Sequence, residues 1–399
     1  MSDPRPNPTR ILVWLCVLIT VNQLGFGAVV AVLALYARSF GVGQSAIGAS
    51  IAVYGLARFL LAMPAGRLAD VAGRRSALAL GGLVSGAGNL VCAYATTYPL
   101  FIAGRFVAGA GAALVLIGGQ IVMADITTPA NRGRLMAIYQ GVFLFAVGVG
   151  PIPGGILAER FGLTAPFFVY AAVGPVAAAV GWLQIPETRT RIGSGAAAVK
   201  TPPFVTQIRL LTARIGFVLA TSITFTSAVA RTGALFNVIP VLARDRLGLS
   251  ADRIGVGLAL ASLVGLVLIY PSGMLIDRFG RKLLIVPATM MSAAAMLLFL
   301  VAPSYAWFLT ACVVWSLATG VSGAAPAAYA ADVAPPGMNA AAMSAFRMLS
   351  DAGYVLGPLV LGAITDVFGP NVALATAATL LTAVALLFGR WAPETYRRL

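Results

Sequence analysis

Histidine is missing from this 399-residue chain, cysteine occurs three times, and only 12 residues are acidic. Cys16, Cys92 and Cys312 all fall within apolar runs, which leaves no disulfide framework or metal cluster and makes them small core residues. Charged residues make up 10% of the chain against 60% apolar, whereas soluble domains carry about 25% charged residues. A soluble fold is thereby excluded. No nucleophile–base arrangement or phosphate-cradling loop is present, and the glycine-rich strings do not follow strands, so neither an enzyme nor a dinucleotide site is expected. The apolar runs also lack the alternation of an outer-membrane barrel.

What is there is apolar length. Runs of about 20 residues, enough to cross roughly 30 Å of hydrocarbon, are separated by short polar connections. They cover 11–37, 46–64, 76–96, 99–123, 135–158 and 165–185, then 213–243, 251–272, 283–302, 305–330, 339–363 and 370–390. Backbone groups in lipid must bond internally, so the fold class expected is an all-α membrane protein of twelve transmembrane helices. The first run is too long for a cleaved signal and lacks a small-residue cleavage site. A formal charge of +15 invites a nucleic-acid reading, but the basic residues follow topology. Arg10, Arg67, Arg74, Arg75, Arg132, Arg134, Arg281, Lys282 and Arg390 fall on one side, and only Arg38, Arg160, Arg244, Arg246 and Arg253 on the other. That bias puts both termini in the cytoplasm and gives no reason to invoke nucleic acid.

The stretch GRLADVAGRR at Gly66 is echoed 207 positions later by GMLIDRFGRK at Gly273. The same offset relates Pro64 to Pro271, Asp125 to Asp332, Pro129 to Pro336, Gly150-Pro151 to Gly357-Pro358, Gly155 to Gly362 and the two PET triplets at Pro186 and Pro393. A six-helix unit is therefore duplicated. Because six is even, both copies enter from the same side, so the expected bundles, 1–185 and 213–399, are related by a pseudo-two-fold axis along the membrane normal with a central site between them. The stretch 186–212, with its PETRTR, GSG and TPP segments, is the expected cytoplasmic linker.

With six plus six helices and this loop between the second and third, the chain resembles the major facilitator superfamily of secondary transporters. Gly66, Asp70, Gly73, Arg74 and Arg75 match the family's loop signature, and Gly273, Asp277, Gly280, Arg281 and Lys282 form a weaker second copy. The resemblance implies that Asp70 latches the two halves at the cytoplasmic rim, against the start of the eleventh span, where free N–H groups favour an anion. It also implies that Arg74 pairs with Asp125. The fifth span, with Gly150, Pro151, Gly154 and Gly155, resembles the signature of the drug and metabolite antiporters, although Ala146 stands where that signature has a further glycine. Many relatives with LGFG in the first span carry an acid just before it; here that place holds Asn22, which cannot bind and release a proton.

Away from the ends of the expected spans lie four basic residues and one acid: Arg58, Arg105, Arg231, Arg347 and Asp351. An ionised side chain at mid-bilayer costs at least about 2.5 to 3.5 kcal/mol, so each is expected to face protein or a water-filled cavity. Arg105 resembles the helix-4 arginine of proton-coupled members. Asp351, four residues after Arg347, can pair with it along the helix; alternatively Arg58, about 12 Å from the cytoplasmic end of its helix, approaches Asp351 when the inner gate is shut. Asn22, Gln23, Phe26, Arg105, Gln120, Arg231, Asn237, Trp315 and Tyr329 are the expected substrate contacts, an apolar and aromatic cavity with fixed positive charge.

The function expected is secondary active transport of small amphipathic organic compounds by alternating access, as proton-coupled multidrug or metabolite efflux. The alternatives are a carrier of organic anions or lipid-like molecules, and a non-transporting receptor or scramblase. No cofactor is expected beyond the proton gradient as energy source. One chain encloses the route, so a monomer in a bacterial inner membrane is expected.

Overall fold

The computed structural model describes residues 8–127, 132–188, 209–323, 325–335 and 339–394. Among them twelve helices are long and apolar enough to cross a membrane, and no strand occurs. The chain divides into two compact units: Met1–Val42, Ala49–Arg191 and Leu249–Ala259 form unit 1, and Gly43–Gly48, Ile192–Gly248 and Leu260–Leu399 form unit 2. Two short segments, Gly43–Gly48 and Leu249–Ala259, thus lie in the other unit from the one their place in the chain suggests.

The N-terminal half runs as α1 (Pro8–Arg38), α2 (Gln44–Ala72), α3 (Arg74–Ala93), α4 (Tyr98–Ile126), α5 (Arg132–Val149), α6 (Pro151–Phe161) and α7 (Ala165–Leu183). The fifth expected span is two helices, because Pro151 has no N–H with which to continue α5. Most of unit 1 is organised by α3, which packs on α4 and on α7. Its seam with α4 is made of small residues at i, i+4, i+7 and i+11: Gly81, Ser85, Gly88 and Cys92 face Val115, Gly111, Ala108 and Gly104. A Cβ at Gly81 would stand 2.8 Å from the Val115 nitrogen, and one at Gly104 would stand 2.9 Å from the Cys92 nitrogen. Backbones this close leave no room for a methyl group. Small residues are the means by which helices associate in lipid, where burial of apolar surface supplies no drive.

The C-terminal half runs as α8 (Ile215–Val229), a π-helical segment π1 (Ala230–Val238), α9 (Ile239–Leu247), α10 (Ala251–Phe279), α11 (Arg281–Val301), α12 (Tyr305–Ser322), α13 (Ala325–Asp332), α14 (Asn339–Phe368) and α15 (Pro370–Trp391). Two expected spans depart from a plain helix: the seventh carries the nine π-helical residues, and the tenth ends at Gly323 (φ 41°) before restarting as α13. In unit 2, α11 packs on α12 and α15 while α14 packs on α8 and π1. The seam of α11 and α12 repeats that of α3 and α4 with alanine in place of glycine, at Ala288, Ala295, Ala311 and Ala318, all buried. Cys92 and Cys312 are buried, whereas Cys16 is only half-buried.

The seam yields a paired prediction of opposite sign. Gly111→Ala, whose methyl would overlap the Ser85 backbone, should lower stability by about 1 to 3 kcal/mol through overpacking. Gly141→Ala, with nothing within 4 Å, should raise it by about 0.5 to 1 kcal/mol by restraining the unfolded backbone. Thermal unfolding of the two variants in detergent checks both signs.

Candidate functional site

Each unit carries a charged network where two of its helices meet a tight loop. In unit 1 the turn from α2 into α3 needs Gly73, whose φ of 96° places it in the left-handed region. The same glycine leaves space for Glu187, which accepts hydrogen bonds from the backbone N–H groups of Arg74 (3.1 Å) and Arg75 (3.4 Å) and so caps α3 with a negative charge. Arg74, only 8% exposed, reaches Asp125 on α4 through Nε (3.0 Å) and Asp70 on α2 through Nη1 (3.0 Å), and donates to the Ala69 carbonyl at 3.1 Å. Thr188 donates to the same Asp125 carboxylate at 2.8 Å. The PET triplet therefore closes the loop signature from the far end of the bundle. Arg75 places its guanidinium 4.4 Å above the Trp182 ring.

Unit 2 repeats the arrangement: Gly280 has φ 91°, and Arg281 contacts Asp332 at 2.9 Å. Lys282 donates to the Ala392 carbonyl at 2.9 Å. The Arg74–Asp125 pair expected from the resemblance is formed, and so is its repeat. Asp70 is two-thirds exposed apart from its contact with Arg74. Residues 336–338, just before the eleventh span, lie outside the described residues, as do the side chains of 339–340 and of 272–279, which include Gly273 and Asp277. Gly66 lies on α2, with only Ile117 near the place of its missing Cβ.

Deeper in unit 1, Arg105 is 1% exposed. Its Nε donates to the Ser50 carbonyl at 3.1 Å, its guanidinium lies 4.4 Å over the Tyr54 ring, and its Nη1 has no hydrogen-bond partner. Tyr54 in turn stacks on Phe26 at 5.3 Å. Asn22 and Gln23 are buried one turn from Phe26 on α1, and the Asn22 Oδ1 is unpartnered. Arg58 is half-buried on α2 and Gln120 is exposed on α4. Tyr54, Phe26, Asn22 and Arg105 thus gather buried polarity and aromatic surface around one cation. Tyr54 and Ser50, which position Arg105, were not among the expected contacts; aromatic and small residues on α2 carry no distinguishing pattern in a chain this apolar.

In unit 2 the polar residues cluster on π1 and α14. Arg347 meets Asp351 at 3.6 Å, one helical turn apart, with two-thirds and about a third of their side chains exposed. Arg231 is exposed on π1, with Arg347 and Tyr354 as its electrostatic neighbours. π-helical segments are rare and recur at functional sites; no residue pattern announces this one. Asn237, at its other end, is fully buried and committed: its Nδ2 donates to the Pro358 carbonyl at 3.1 Å, and its carbonyl and Oδ1 each accept from Gln44 at 2.9 Å. Trp315 and Tyr329, expected at the cavity, are instead packed in the interior of unit 2. Trp315 lies on the buried stripe of Ala311 and Ala318, and Tyr329 sits in a core cluster with its hydroxyl donating to the Pro393 carbonyl at 2.6 Å. The reason is the repeat register, which puts both on the faces their helices turn to the bundle.

Gly150, Pro151, Gly154 and Gly155 form the junction of α5 and α6. Gly150 packs on Gly27 of α1, where a Cβ would stand 2.6 Å from the Gly27 Cα, and Gly154 packs on Ala28. Gly155 packs on Ala251, 2.6 Å from its carbonyl oxygen by the same measure. The described residues contain no group of three or more His, Cys, Asp or Glu able to hold a metal ion.

Comparison with known proteins agrees with this architecture. The profile of the Major Facilitator Superfamily matches residues 15–250 and 220–399. An uncharacterized MFS-type transporter of Methanocaldococcus jannaschii is 22% identical over 358 residues, 90% of this chain and 91% of its own. Multidrug resistance protein 2 of Bacillus subtilis is 24% identical over 273 residues, 67% of each chain. The solved D-xylose-proton symporter matches in fold with a TM-score of 0.75 at 17% identity, over 96% of this chain and 99% of its own.

The Arg74 network is testable without a substrate. In a double-mutant cycle, Arg74→Gln and Asp125→Asn combined should cost less than the sum of the single changes, with a coupling of about 0.5 to 3 kcal/mol, read from unfolding in detergent. A coupling near zero removes the pair from the packing of unit 1.

Proposed function

Because the chain belongs to the major facilitator superfamily, we propose that this integral membrane transporter exports small amphipathic organic compounds by alternating access, driven by the proton gradient. The observation that carries the reading is the helix junction Gly150-Pro151-Gly154-Gly155, together with the multidrug-resistance relative at 24% identity. Glycine and proline there give a smooth, bendable element, useful where bundles must rock rather than lock. Twelve apolar helices and superfamily membership make it a membrane transporter and not an enzyme.

The substrate contacts proposed are Asn22, Gln23, Phe26 and Arg105 from unit 1, Gln120 on α4, and Arg231 from π1. Trp315 is left out because it lies on the buried seam stripe of Ala311 and Ala318, and Tyr329 because its hydroxyl is committed to the Pro393 carbonyl. Asp351 is proposed as the proton-linked group. It is the carboxylate placed deepest in the spans, its pairing with Arg347 at 3.6 Å is long for a committed ion pair, and a proton on it would free Arg347 and leave Arg231 as a second cation for the substrate. Arg58 remains its proposed gating counterpart, and Asp70 the latch. No cofactor is required in this scheme, one chain suffices, and the basic residues orient both termini toward the cytoplasm of a bacterial inner membrane.

Proteoliposomes bearing an imposed pH gradient test the reading with neutral, cationic and anionic amphipathic compounds. A transported compound should dissipate the gradient on addition. Asp351→Asn should abolish the proton movement while substrate binding persists, and Arg231→Ala should weaken binding about tenfold, the loss of one charge-assisted contact. Anion uptake without proton movement replaces this scheme with an anion carrier, and binding without flux replaces it with a receptor. Intact proton-linked flux in Asp351→Asn removes Asp351 from the coupling.

A further inference from the structure

The two short segments exchanged between the units begin the two helices α2 and α10, and both beginnings are held in the same way. In unit 2, Asp366 near the end of α14 accepts hydrogen bonds from the backbone N–H groups of Gln44 (2.6 Å) and Ser45 (2.8 Å). In unit 1, Glu159 near the end of α6 accepts one from the N–H of Ala251 at 3.1 Å. Asp366 follows Glu159 by 207 positions, and Ala251 follows Gln44 by the same number. The glycines behind these carboxylates obey the same offset. A Cβ at Gly362 would stand 2.7 Å from the Gln44 carbonyl oxygen, and one at Gly155 would stand 2.6 Å from that of Ala251. One turn deeper, Gly48 lies on the Pro358 carbonyl and Gly255 on that of Pro151. Each docking face is thus a stripe at i, i+4 and i+8: Pro358, Gly362 and Asp366 on α14, Pro151, Gly155 and Glu159 on α6.

We propose that Asp366 and Glu159 are a matched pair of carboxylate clamps that hold the starts of α2 and α10 and must release for the face opposite the GRLADVAGRR loops to open. The chemistry is that of a helix beginning. The first N–H groups of a helix have no partner within it and present the positive end of its dipole, so a carboxylate arriving from another helix both satisfies and attracts them. The proline and glycine one and two turns deeper make the docking close, while the carboxylate at the rim makes it depend on a charge. The clamps are unequal. Asp366 takes two N–H groups where Glu159 takes one, and the α2 side adds Gln44, whose Nε2 bonds Asn237, where the repeat has Ala251. The clamp at α2 is therefore the stronger. It also gives Asn237, which is enclosed with Gln44 and Pro358, a positioning role on this face in place of a substrate contact.

This inference rests on the transporter reading for its purpose, but its test reads distance rather than transport, so the two fail separately. In a background with the three native cysteines replaced, spin labels at Ala46→Cys and Val367→Cys report the α2 clamp, and labels at Arg253→Cys and Phe161→Cys report the α10 clamp, by pulsed electron resonance on the full chain in nanodiscs. Asp366→Asn should deplete the short-distance population at α2 by about threefold, a fraction of a full helix-dipole contact because the site is exposed. Asp366→Glu should retain it, and Glu159→Gln should have a smaller effect at α10. Gly362→Ala, which leaves the carboxylate in place and pushes the Gln44 backbone away, should deplete the α2 population as Asp366→Asn does. Unchanged distances in both Asp366→Asn and Gly362→Ala overturn the clamp. Equal loss in Asp366→Glu and Asp366→Asn overturns the role of charge.

Discussion

Helices in a bilayer gain nothing by hiding apolar surface from one another, since lipid tails are as apolar as leucine, so close backbone approach has to hold each bundle together. In this chain that requirement selects glycine, alanine and serine at fixed turns of the helix. The four-rung seam of α3 and α4 is its clearest expression, and the docking of Gly48 and Gly255 on proline carbonyls is another. The seams differ between units. Unit 1 closes its seam with glycine and unit 2 with alanine, so the repeated frame carries a methyl in one copy at places where the other has no room for it.

The repeat also sorts the charges. Arg74 and Asp125 recur as Arg281 and Asp332, and Glu159 recurs as Asp366; these repeated charges join helices within a unit. Arg105 meets Cys312 at the equivalent place, Arg231 meets Leu24, Arg58 meets Gly265, Arg347 meets Gln140 and Asp351 meets Leu144. A charge that both copies keep is needed by the bundle as such. A charge that only one copy keeps costs that copy a desolvation penalty its twin avoids; Arg105 offsets it within unit 1 through the Ser50 carbonyl and the Tyr54 ring, and Arg347 and Asp351 offset it against each other.

Most of the frame is legible in the sequence because lipid permits so few solutions. Run length decides the twelve spans, the resemblance of the loop implies the pairing of Arg74 with Asp125, and the 207-residue offset carries that pairing over to Arg281 and Asp332. What is not legible depends on facing direction. Trp315 and Tyr329 read as cavity residues because aromatic side chains suit a binding site, yet their helical register turns them into the bundle. In a chain that is 60% apolar, the moment that ordinarily separates a core face from a wet face is lost. Glu187 and Thr188 sit beyond the last helix of the first bundle, and nothing local to PET says that the triplet folds back on α3. The π-helical segment has no residue signature at all.

That segment lies against the repeated proline. A proline inside a helix frees the carbonyl four residues earlier, so Pro151 frees Val147 and Pro358 frees Tyr354. Unit 1 covers the loss with a glycine: the Val147 oxygen lies 2.6 Å from where a Cβ on Gly27 would be, a distance only a Cα–H can tolerate. Unit 2 meets it with a hydroxyl, as Thr232 shares its proton between the Ala228 carbonyl of its own span at 2.9 Å and the Tyr354 carbonyl at 3.2 Å, and Gly233 packs on the Gly357 carbonyl alongside. Thr232 and Gly233 both belong to π1, and they follow Arg231 directly. The widened turn is therefore pinned to α14 immediately beside the exposed arginine, and Asn237 pins its other end to the same helix through Pro358. Arg231 is held in step with α14, the helix that carries Arg347 and Asp351, so any displacement of α14 moves all three charges as one set.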